Sequence, residues 1–270
     1  MKGSGVDLNI FVNNLNSYIK WRTDYLFSWN KSEVTKYLNE ITDLRQYLSR
    51  GQSIQPIEGR PLYAIVTYPS AGLDPENGDP LGYLNGEVSK DYLNILRSTP
   101  PEELDFHGSA LPTIFGGIRN TFTWKNVSFS ANITYRFNYY FARNTIFYPD
   151  LIGNYRGHGD YGKRWQKSGD ELITDVPSFV YPLNNNRDQF YRASSPLVEK
   201  GDHIRLQDIK VAYRLPLSYL RKTGFQEISP FIYMNNIGII WRSNNHGLDP
   251  DNNNKMPTPF TFSFGVKLSL

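Results

Sequence analysis

The sequence predicts an all-β protein, a partial antiparallel transmembrane β-barrel with long extracellular loops. Three observations predict this fold. Aromatic residues make up 15% of the 270 residues, and aromatic side chains favour the pleated surface of a sheet. Apolar and polar residues alternate over stretches long enough to cross a bilayer, which takes about 9–11 residues of strand. Short connections alternate with very long ones between these stretches.

The strands follow from period-two alternation, which places every second side chain on the same face of a sheet. In residues 127–141 the odd positions are apolar or aromatic, whereas the even positions up to 138 are Ser, Asn, Thr or Arg. Residues 203–215 change phase at Gln207 and Asp208, which indicates a β-bulge. The other predicted strands are residues 6–12, 18–30, 113–125, 260–270 and, with mixed faces, 228–236.

A two-residue turn at residues 125–126 fixes the register of the two strands around it. It pairs Trp124 with Val127 and, in step, Gly116 with Tyr135, where the glycine leaves room for the ring. The polar side chains then share the face opposite the apolar one, because cross-strand partners lie on the same face. The side chains expected on this polar face are Arg119, Asn132 and Arg136. The first and the last strand are expected at the outer edges of the sheet.

The long connections are rich in Gly, Pro, Asn and Tyr. They cover residues 31–112, 142–202 and 237–259. In the first, apolar residues at helical spacing predict a helix that begins at Ser32 and ends at Gly51. A turn-forming run between residues 61–73 and 80–87 predicts a hairpin. The sequence leaves open whether residues 61–87 belong to the wall of the barrel or form an extracellular hairpin.

Composition and motifs exclude several classes of function. The chain has no cysteine, which excludes a disulfide framework and a cysteine metal site. Its net charge is +3 without a run of Lys and Arg, so no nucleic acid is expected as a partner. The sequence contains no nucleophile elbow, phosphate-binding P-loop or His-Glu-x-x-His motif. We therefore predict no enzyme activity, no cofactor and no catalytic residue.

Two loop patterns are similar to binding motifs but depart from them. Residues 157–162 match G-x-G-x-x-G in a polar loop, without the strand and helix that a dinucleotide site needs. His158 in this loop has no second histidine nearby to complete a metal site. Residues 249–260 begin like a calcium loop, but Asn254 replaces the required Gly and Phe260 the required Glu. An EF-hand is excluded, whereas weak calcium binding by this loop stays open.

Five motifs follow one another along almost the whole chain. The first two are GLDPENGDP at residues 72–80, and LP at 111–112 with FGGIRNTF at 115–122. The next are RWQKSGD at 164–170 with VP at 176–177, GDHIRLQDI at 201–209 with YRLP at 213–216, and NI at 236–237. In number, order and spacing they resemble the C-terminal third of the SusC/RagA family of TonB-dependent outer-membrane transporters. The matching residues are Gly116, Gly117, Asn120, Arg164, Trp165, Gly169, Asp170, Pro177, Arg205, Leu206, Pro216 and Asn236.

The resemblance implies that residues 1–270 are the C-terminal part of a receptor barrel of about 22 strands, a size class with a plugged lumen. About eight strands would lie in this chain, and the plug domain would belong to a part that it lacks. The resemblance also implies a bacterial outer-membrane location and uptake of an oligosaccharide or peptide substrate. The implied partners are outer-membrane lipid, a SusD-like surface lipoprotein, and TonB acting through the missing N-terminal part.

Loop aromatics are the candidate substrate contacts, because their ring faces can stack on sugars. The candidates are Tyr155, Tyr161, Trp165 and Tyr181. Alternatively, these side chains only pack the loops, since buried aromatics contribute much to packing. Two other functions stay open: a surface protein that binds carbohydrate without transport, and a self-contained eight-stranded barrel that acts as an adhesin or structural protein.

Overall fold

The computed structural model describes residues 1–38, 48, 54, 56–221, 224–252 and 256–270. Within these residues the chain forms fourteen strands, and the seven longest correspond to the seven predicted strands. The strands are β1 (Lys2–Asn16), β2 (Ile19–Glu33), β3 (Ala64–Thr67), β4 (Gly72–Leu73), β5 (Pro80–Leu84), β6 (Glu87–Ser89), β7 (Asp105–Ser109), β8 (Ile114–Trp124), β9 (Val127–Phe137), β10 (Tyr140–Ala142), β11 (Val198–Lys200), β12 (His203–Tyr213), β13 (Glu227–Arg242) and β14 (Thr261–Ser269).

The same residues form four short α-helices. They are α1 (Tyr92–Ser98), α2 (Tyr148–Asn154), α3 (Asn185–Arg192) and α4 (Leu217–Leu220). Side-chain oxygens cap two of them. Asp91 accepts a hydrogen bond from the backbone N–H of Asn94 in α1, and Asn184 accepts one from that of Arg187 in α3, both at 3.2 Å. No helix in the described part of the chain is long and apolar enough to span a membrane.

The chain divides into two compact units. The sheet unit comprises Gly3–Lys31, Pro112–Tyr139 and Gly201–Leu270. The connection unit comprises Met1–Lys2, Ser32–Leu111 and Tyr140–Lys200. The connection unit therefore contains the two longest connections between strands of the sheet unit.

The sheet unit is one seven-stranded sheet with the order β1-β2-β8-β9-β12-β13-β14. Neighbouring strands from β2 to β14 pair antiparallel. The strands β1 and β14 lie at the two edges, as the sequence predicts. The described residues supply seven strands to this sheet rather than the eight expected, because the short strands near the GLDPENGDP motif belong to the connection unit.

The β8–β9 hairpin has the predicted register. Trp124 pairs with Val127, Gly116 pairs with Tyr135, and the pairs between them are in step. Tyr135 crosses β8 to reach β2, where its hydroxyl donates a hydrogen bond to the carbonyl oxygen of Leu26 at 3.0 Å. A Cβ on Gly116 would lie 2.1 Å from that oxygen and 2.6 Å from the tyrosine hydroxyl. The crossing therefore requires a residue without a side chain.

β12 contains the predicted bulge. Its register against β9 shifts between Leu206 and Asp208, so that Gln207 is the extra residue. Because of this shift, Leu206 and Ile209 both pair with residues on the apolar face of β9. The bulge thus keeps the apolar side chains of β12 on one face although the sequence changes phase.

β9 ends earlier than the alternation predicts. The pattern continues to Phe141, but the strand ends at Phe137, and Asn138 has a φ of 60°. Asn tolerates this left-handed conformation better than most residues. The backbone N–H of Asn138 donates to Asp202 Oδ1 at 2.7 Å, and its side-chain nitrogen donates to Thr113 Oγ1 at 2.6 Å. These contacts end the strand, and the chain continues into β10 of the connection unit.

The described residues of the connection unit form three small sheets, β10-β11, β3-β7 and β4-β5-β6. The predicted hairpin is formed by β4 and β5, where Leu73 pairs with Pro80. This hairpin belongs to the connection unit and is not a strand pair of the seven-stranded wall. The hydrophobic core of the unit joins β3, α1 and α3 around Tyr68, Ile95 and Phe190, which are buried.

The helix predicted from Ser32 is wrong at its start. β2 continues to Glu33, and Val34 forms a parallel bridge with Glu58. Most of the remaining predicted helix, up to Gly51, lies outside the described residues.

Candidate functional site

The sheet unit has one apolar face whose side chains are exposed. A row of paired residues crosses it, one on each strand from β8 to β14: Phe122, Phe129, Val211, Ile232 and Phe264. Their exposed fractions run from 37% to 70% within the chain. An exposed apolar surface of this width marks contact with lipid or with another apolar surface.

Asn120 lies within this apolar face, where its side chain accepts hydrogen bonds. Its Oδ1 accepts hydrogen bonds from Trp21 Nε1 at 2.9 Å and from Thr23 Oγ1 at 2.7 Å. Thr23 in turn accepts one from Asn14 Nδ2 at 2.6 Å. Polar atoms that face hydrocarbon need such partners, because no water is available to them. The motif residue Asn120 therefore connects β8 to β2.

The opposite face of the sheet carries charges. Asp208 is 3% exposed, and its Oδ2 accepts hydrogen bonds from Arg119 Nη2 and Asn132 Nδ2, both at 3.0 Å. Arg136 shares this face, so all three predicted side chains lie where the register places them. A charged face behind an exposed apolar face is the arrangement of a barrel wall that separates lipid from an aqueous lumen.

Two aspartates attach the β13–β14 connection to this charged face. Both carboxylate oxygens of Asp249 lie 2.7 Å from Arg205 Nη2, and Asp251 Oδ1 lies 2.6 Å from Arg136 Nη1. Asn236, with a φ of 55°, accepts a hydrogen bond from Arg205 Nη1 at 3.0 Å. Burial is the largest single influence on Asp249 and opposes its ionisation. The hydrogen bonds from Arg205 and Asn252 and the positive charge of Arg205 together outweigh burial, so the pKa of this carboxyl lies below its ordinary value.

Asp249 and Asp251, which form these ion pairs, are the aspartates of the calcium-like loop, residues 249–260. Its aspartates, which would bind a cation, are engaged by arginines instead. Across the described ranges, no group of three or more His, Asp or Glu side chains is placed to hold a metal ion.

The RWQKSGD motif builds a turn in the connection unit. Gly169 has a φ of 97°, and the carboxylate of Asp170 accepts two backbone hydrogen bonds at 3.0 Å. The ring of Trp165 lies on Gly78 of the GLDPENGDP motif, so close that a Cβ on that glycine would be 2.4 Å away. The indole Nε1 donates to Glu171 Oε2 at 3.1 Å. Two of the motifs are thus parts of one packing arrangement.

The four candidate aromatics differ in exposure. Tyr155 is 92% exposed and Tyr181 is 77% exposed, whereas Tyr161 is 37% exposed and lies under the guanidinium of Arg164 at 4.1 Å. Trp165 is 9% exposed, which leaves little of its ring surface for a substrate.

The remaining motif residues have structural positions. Gly117 is buried in β8, and Leu206 directly precedes the bulge of β12. The carbonyl oxygen of Pro177 accepts a hydrogen bond from the Tyr148 hydroxyl at 2.6 Å. Pro216 stands at the N-cap of α4.

Two buried arginines were not predicted from the sequence. Arg187 is 3% exposed; its Nε lies 2.6 Å from Asp79 Oδ1, and its Nη2 donates to the carbonyl oxygen of Ser178 at 2.9 Å. Burial raises the pKa of the neighbouring Asp188 to about 6, although Arg187 opposes the shift. Arg187 thus joins the connection of residues 31–112 to that of residues 142–202. Its partners are distant along the chain, so no local sequence pattern marks them.

The second buried arginine, Arg143, lies among acidic side chains. It is 2.8 Å from Asp160, 2.5 Å from Asp175 and 3.9 Å from Glu199. Asp160, the carboxylate closest in sequence to His158, is thus engaged by Arg143.

No family model matches the chain. Two curated TonB-dependent receptors of Formosa agariphila are similar to it, one 24% identical over 77% of the chain and the other 25% identical over 98%. The chain is a relative of the TonB-dependent receptors. It spans only 19% and 27% of the length of these two proteins.

The fold of this chain is also found in solved structures of the RagAB peptide transporter. Three of them, including the 'closed-closed' and 'open-open' states of the importer, align with TM-scores of 0.67 to 0.68 and 19% to 20% identity. They cover 98% to 99% of this chain and 28% to 29% of the matched chains. The predicted fold class, the family resemblance and the outer-membrane location are thereby confirmed, and the relatives are receptors and transporters rather than enzymes.

Proposed function

We propose that this receptor chain forms part of the barrel wall of an outer-membrane transporter that takes up a nutrient, either an oligosaccharide or a peptide. The observation that supports this best is the single sheet with an exposed apolar row on one face and the Arg119–Asp208 ion pair on the other. A water-soluble sandwich would bury that apolar row between two sheets. A lipid-facing wall leaves it exposed to hydrocarbon.

The partners in this proposal are lipid, TonB and a SusD-like surface lipoprotein. Lipid would contact the apolar face, and TonB would act through a plug domain elsewhere in the full-length protein. The similarity to TonB-dependent receptors and to the RagAB transporter supports both protein partners.

Substrate contacts in this proposal come from exposed tyrosines of the connection unit. Tyr155 and Tyr181 offer free ring faces, and Tyr161 offers part of one. Trp165 is expected to shape the loop through its contact with Gly78 rather than to touch the substrate.

Cell fractionation tests the proposal. The full-length protein should sediment with outer membranes, require detergent for extraction, and support uptake that stops when TonB is deleted. A soluble periplasmic or shed surface protein that binds carbohydrate would instead support the binding protein without transport.

A further inference from the structure

A cavity of about 210 Å³ in the connection unit is lined by two arginines. Arg156 directly follows the C-cap of α2, and Arg192 is the last residue of α3. Within the described part of the chain, neither guanidinium lies in an ion pair with a carboxylate. Two unpaired cations beside one cavity make an anionic ligand favourable there.

These arginines differ from those that stabilise the fold. Arg143 and Arg187 are buried, and each is bound to an aspartate. Arg192 is exposed, and its guanidinium lies over the ring of Phe147 at 5.1 Å. A guanidinium held on a ring keeps its planar set of N–H donors oriented for a carboxylate, which it can bind through two parallel hydrogen bonds.

His158 adds a further donor to the lining. Its Nδ1 accepts a hydrogen bond from the backbone N–H of Asp160 at 3.2 Å. With Nδ1 as an acceptor, the proton of the neutral ring lies on Nε2, which is then an N–H donor. The acidic residue in the lining is Asp150, whose Oδ1 already accepts a hydrogen bond from Asn154 at 3.0 Å. Two arginines against one aspartate leave the lining with a formal charge of +1.

We propose that this cavity binds a carboxylate-bearing residue of the transported substrate, either an acidic residue of a peptide or a uronic acid of an oligosaccharide. The inference rests on the proposed transport function. The cavity is smaller than the roughly 300–1,000 Å³ of a site for a whole small molecule, so it suits one residue of a polymer. Asp150 would accept hydrogen bonds from hydroxyl or amide groups of that residue. Tyr155, which directly precedes Arg156 and is 92% exposed, adds a ring face.

Binding titrations with matched probes test this site in the full-length, detergent-solubilised protein. The carbohydrate pair is trigalacturonic acid and its methyl ester. The peptide pair is an aspartate-containing pentapeptide and a neutral counterpart, in which asparagine replaces aspartate and the C-terminus is amidated. We expect one acidic probe to bind at least about tenfold more tightly than its neutral twin. R156Q and R192Q should each reduce this preference, whereas K167Q, which removes an exposed charge outside the lining, should keep it.

The pair that shows the preference identifies the source of the carboxylate. Equal binding of acidic and neutral twins, no binding of either acidic probe, or an unchanged preference in R156Q and R192Q would overturn the proposal. Competition by inorganic sulfate as strong as by the acidic probe would also overturn it, because it would indicate a non-specific anion site. Uptake of a neutral probe that still depends on TonB would show that only the cavity proposal has failed.

Discussion

Single residues of the FGGIRN segment make contacts between strands rather than with a ligand. Gly116 leaves the space through which Tyr135 reaches the carbonyl oxygen of Leu26. Asn120 accepts hydrogen bonds from Trp21 and Thr23 on the apolar face. Both residues connect β8 to β2, so this motif stabilises a strand pair of the wall.

Replacing Gly116 with alanine should destabilise the wall by about 1–3 kcal/mol, because the new methyl group would overlap the Leu26 oxygen and the Tyr135 hydroxyl. The measurement is the temperature at which the folded form is lost in a heat-modifiability gel. The matched control is G117A, whose Cβ would lie 3.4 Å from the nearest atom, an ordinary contact. Equal melting of both variants would show that the crossing does not need a glycine.

Asp188 is predicted to make the stability of α3 depend on pH. Burial raises its pKa to about 6, above the value of about 3.9 in an unfolded chain. The folded state therefore holds this proton more tightly, and ionisation weakens the fold increasingly as pH rises from about 4 to about 6. The D188N variant lacks the charge and keeps an oxygen for Arg187. We expect amide hydrogen exchange in α3, corrected for intrinsic rates, to depend less on pH in D188N than in the wild type. Equal pH dependence in D188N and the wild type would show that ionisation of Asp188 is not the cause.

At the scale of strands, irregular positions allow a charged cluster to form without disturbing the apolar face. The register of β12 shifts between Leu206 and Asp208 against both of its neighbours. Opposite this shift, Asn236 in β13 adopts a left-handed conformation and binds Arg205. The two irregularities lie beside the point where Asp249 attaches to the sheet.

Single-residue deletions in β12 should distinguish Gln207, the extra residue of the bulge, from the residues that follow the regular alternation. Removing Gln207 leaves Leu206 and Ile209 on the apolar face with Asp208 between them on the charged face, so this variant should still assemble in the outer membrane. Removing Ile209 instead turns either Asp208 or Lys210 towards lipid. A lysine there costs about 2–4 kcal/mol near the bilayer midplane. Heat-modifiable receptor in outer-membrane fractions is the readout, and equal assembly of both variants would contradict the bulge.

Alternation predicted six of the seven wall strands, because lipid on one side imposes a strict period on the sequence; the seventh, β13, has mixed faces in the sequence. The predicted strand ends and burial are wrong or missing where a specific contact, rather than the alternating pattern, determines the structure. Phe141 continues the pattern, yet Asn138 ends the strand through its bonds to neighbouring connections. The sequence also gives no sign that Trp165, a candidate for substrate contact, packs on Gly78, far away in sequence, and is 9% exposed. Arg187 likewise acts through partners distant along the chain, which no local pattern reveals.

At the scale of the whole chain, connections fall into two classes at the two ends of the sheet. The antiparallel order places the turn at residues 17–18 and the turn at 125–126 at one end. The chain enters the connection unit after β2 and β9, and both of these strands finish at the other end. In outer-membrane barrels the short turns face the periplasm and the long loops face the outside.

Cysteine accessibility in whole cells tests this orientation. The 270 residues contain no cysteine, so they contribute no background labelling of their own. Tyr155→Cys and Tyr181→Cys replace the two most exposed candidate tyrosines. Ser17→Cys places a thiol at the exposed turn between β1 and β2. A membrane-impermeant maleimide should label the two loop positions in intact cells, and the turn position only after the outer membrane is permeabilised. The physical reason is that an antiparallel strand crossing lipid puts its two ends in different compartments. Labelling of the turn in intact cells at the rate of the loop positions would mean that the sheet does not cross the membrane.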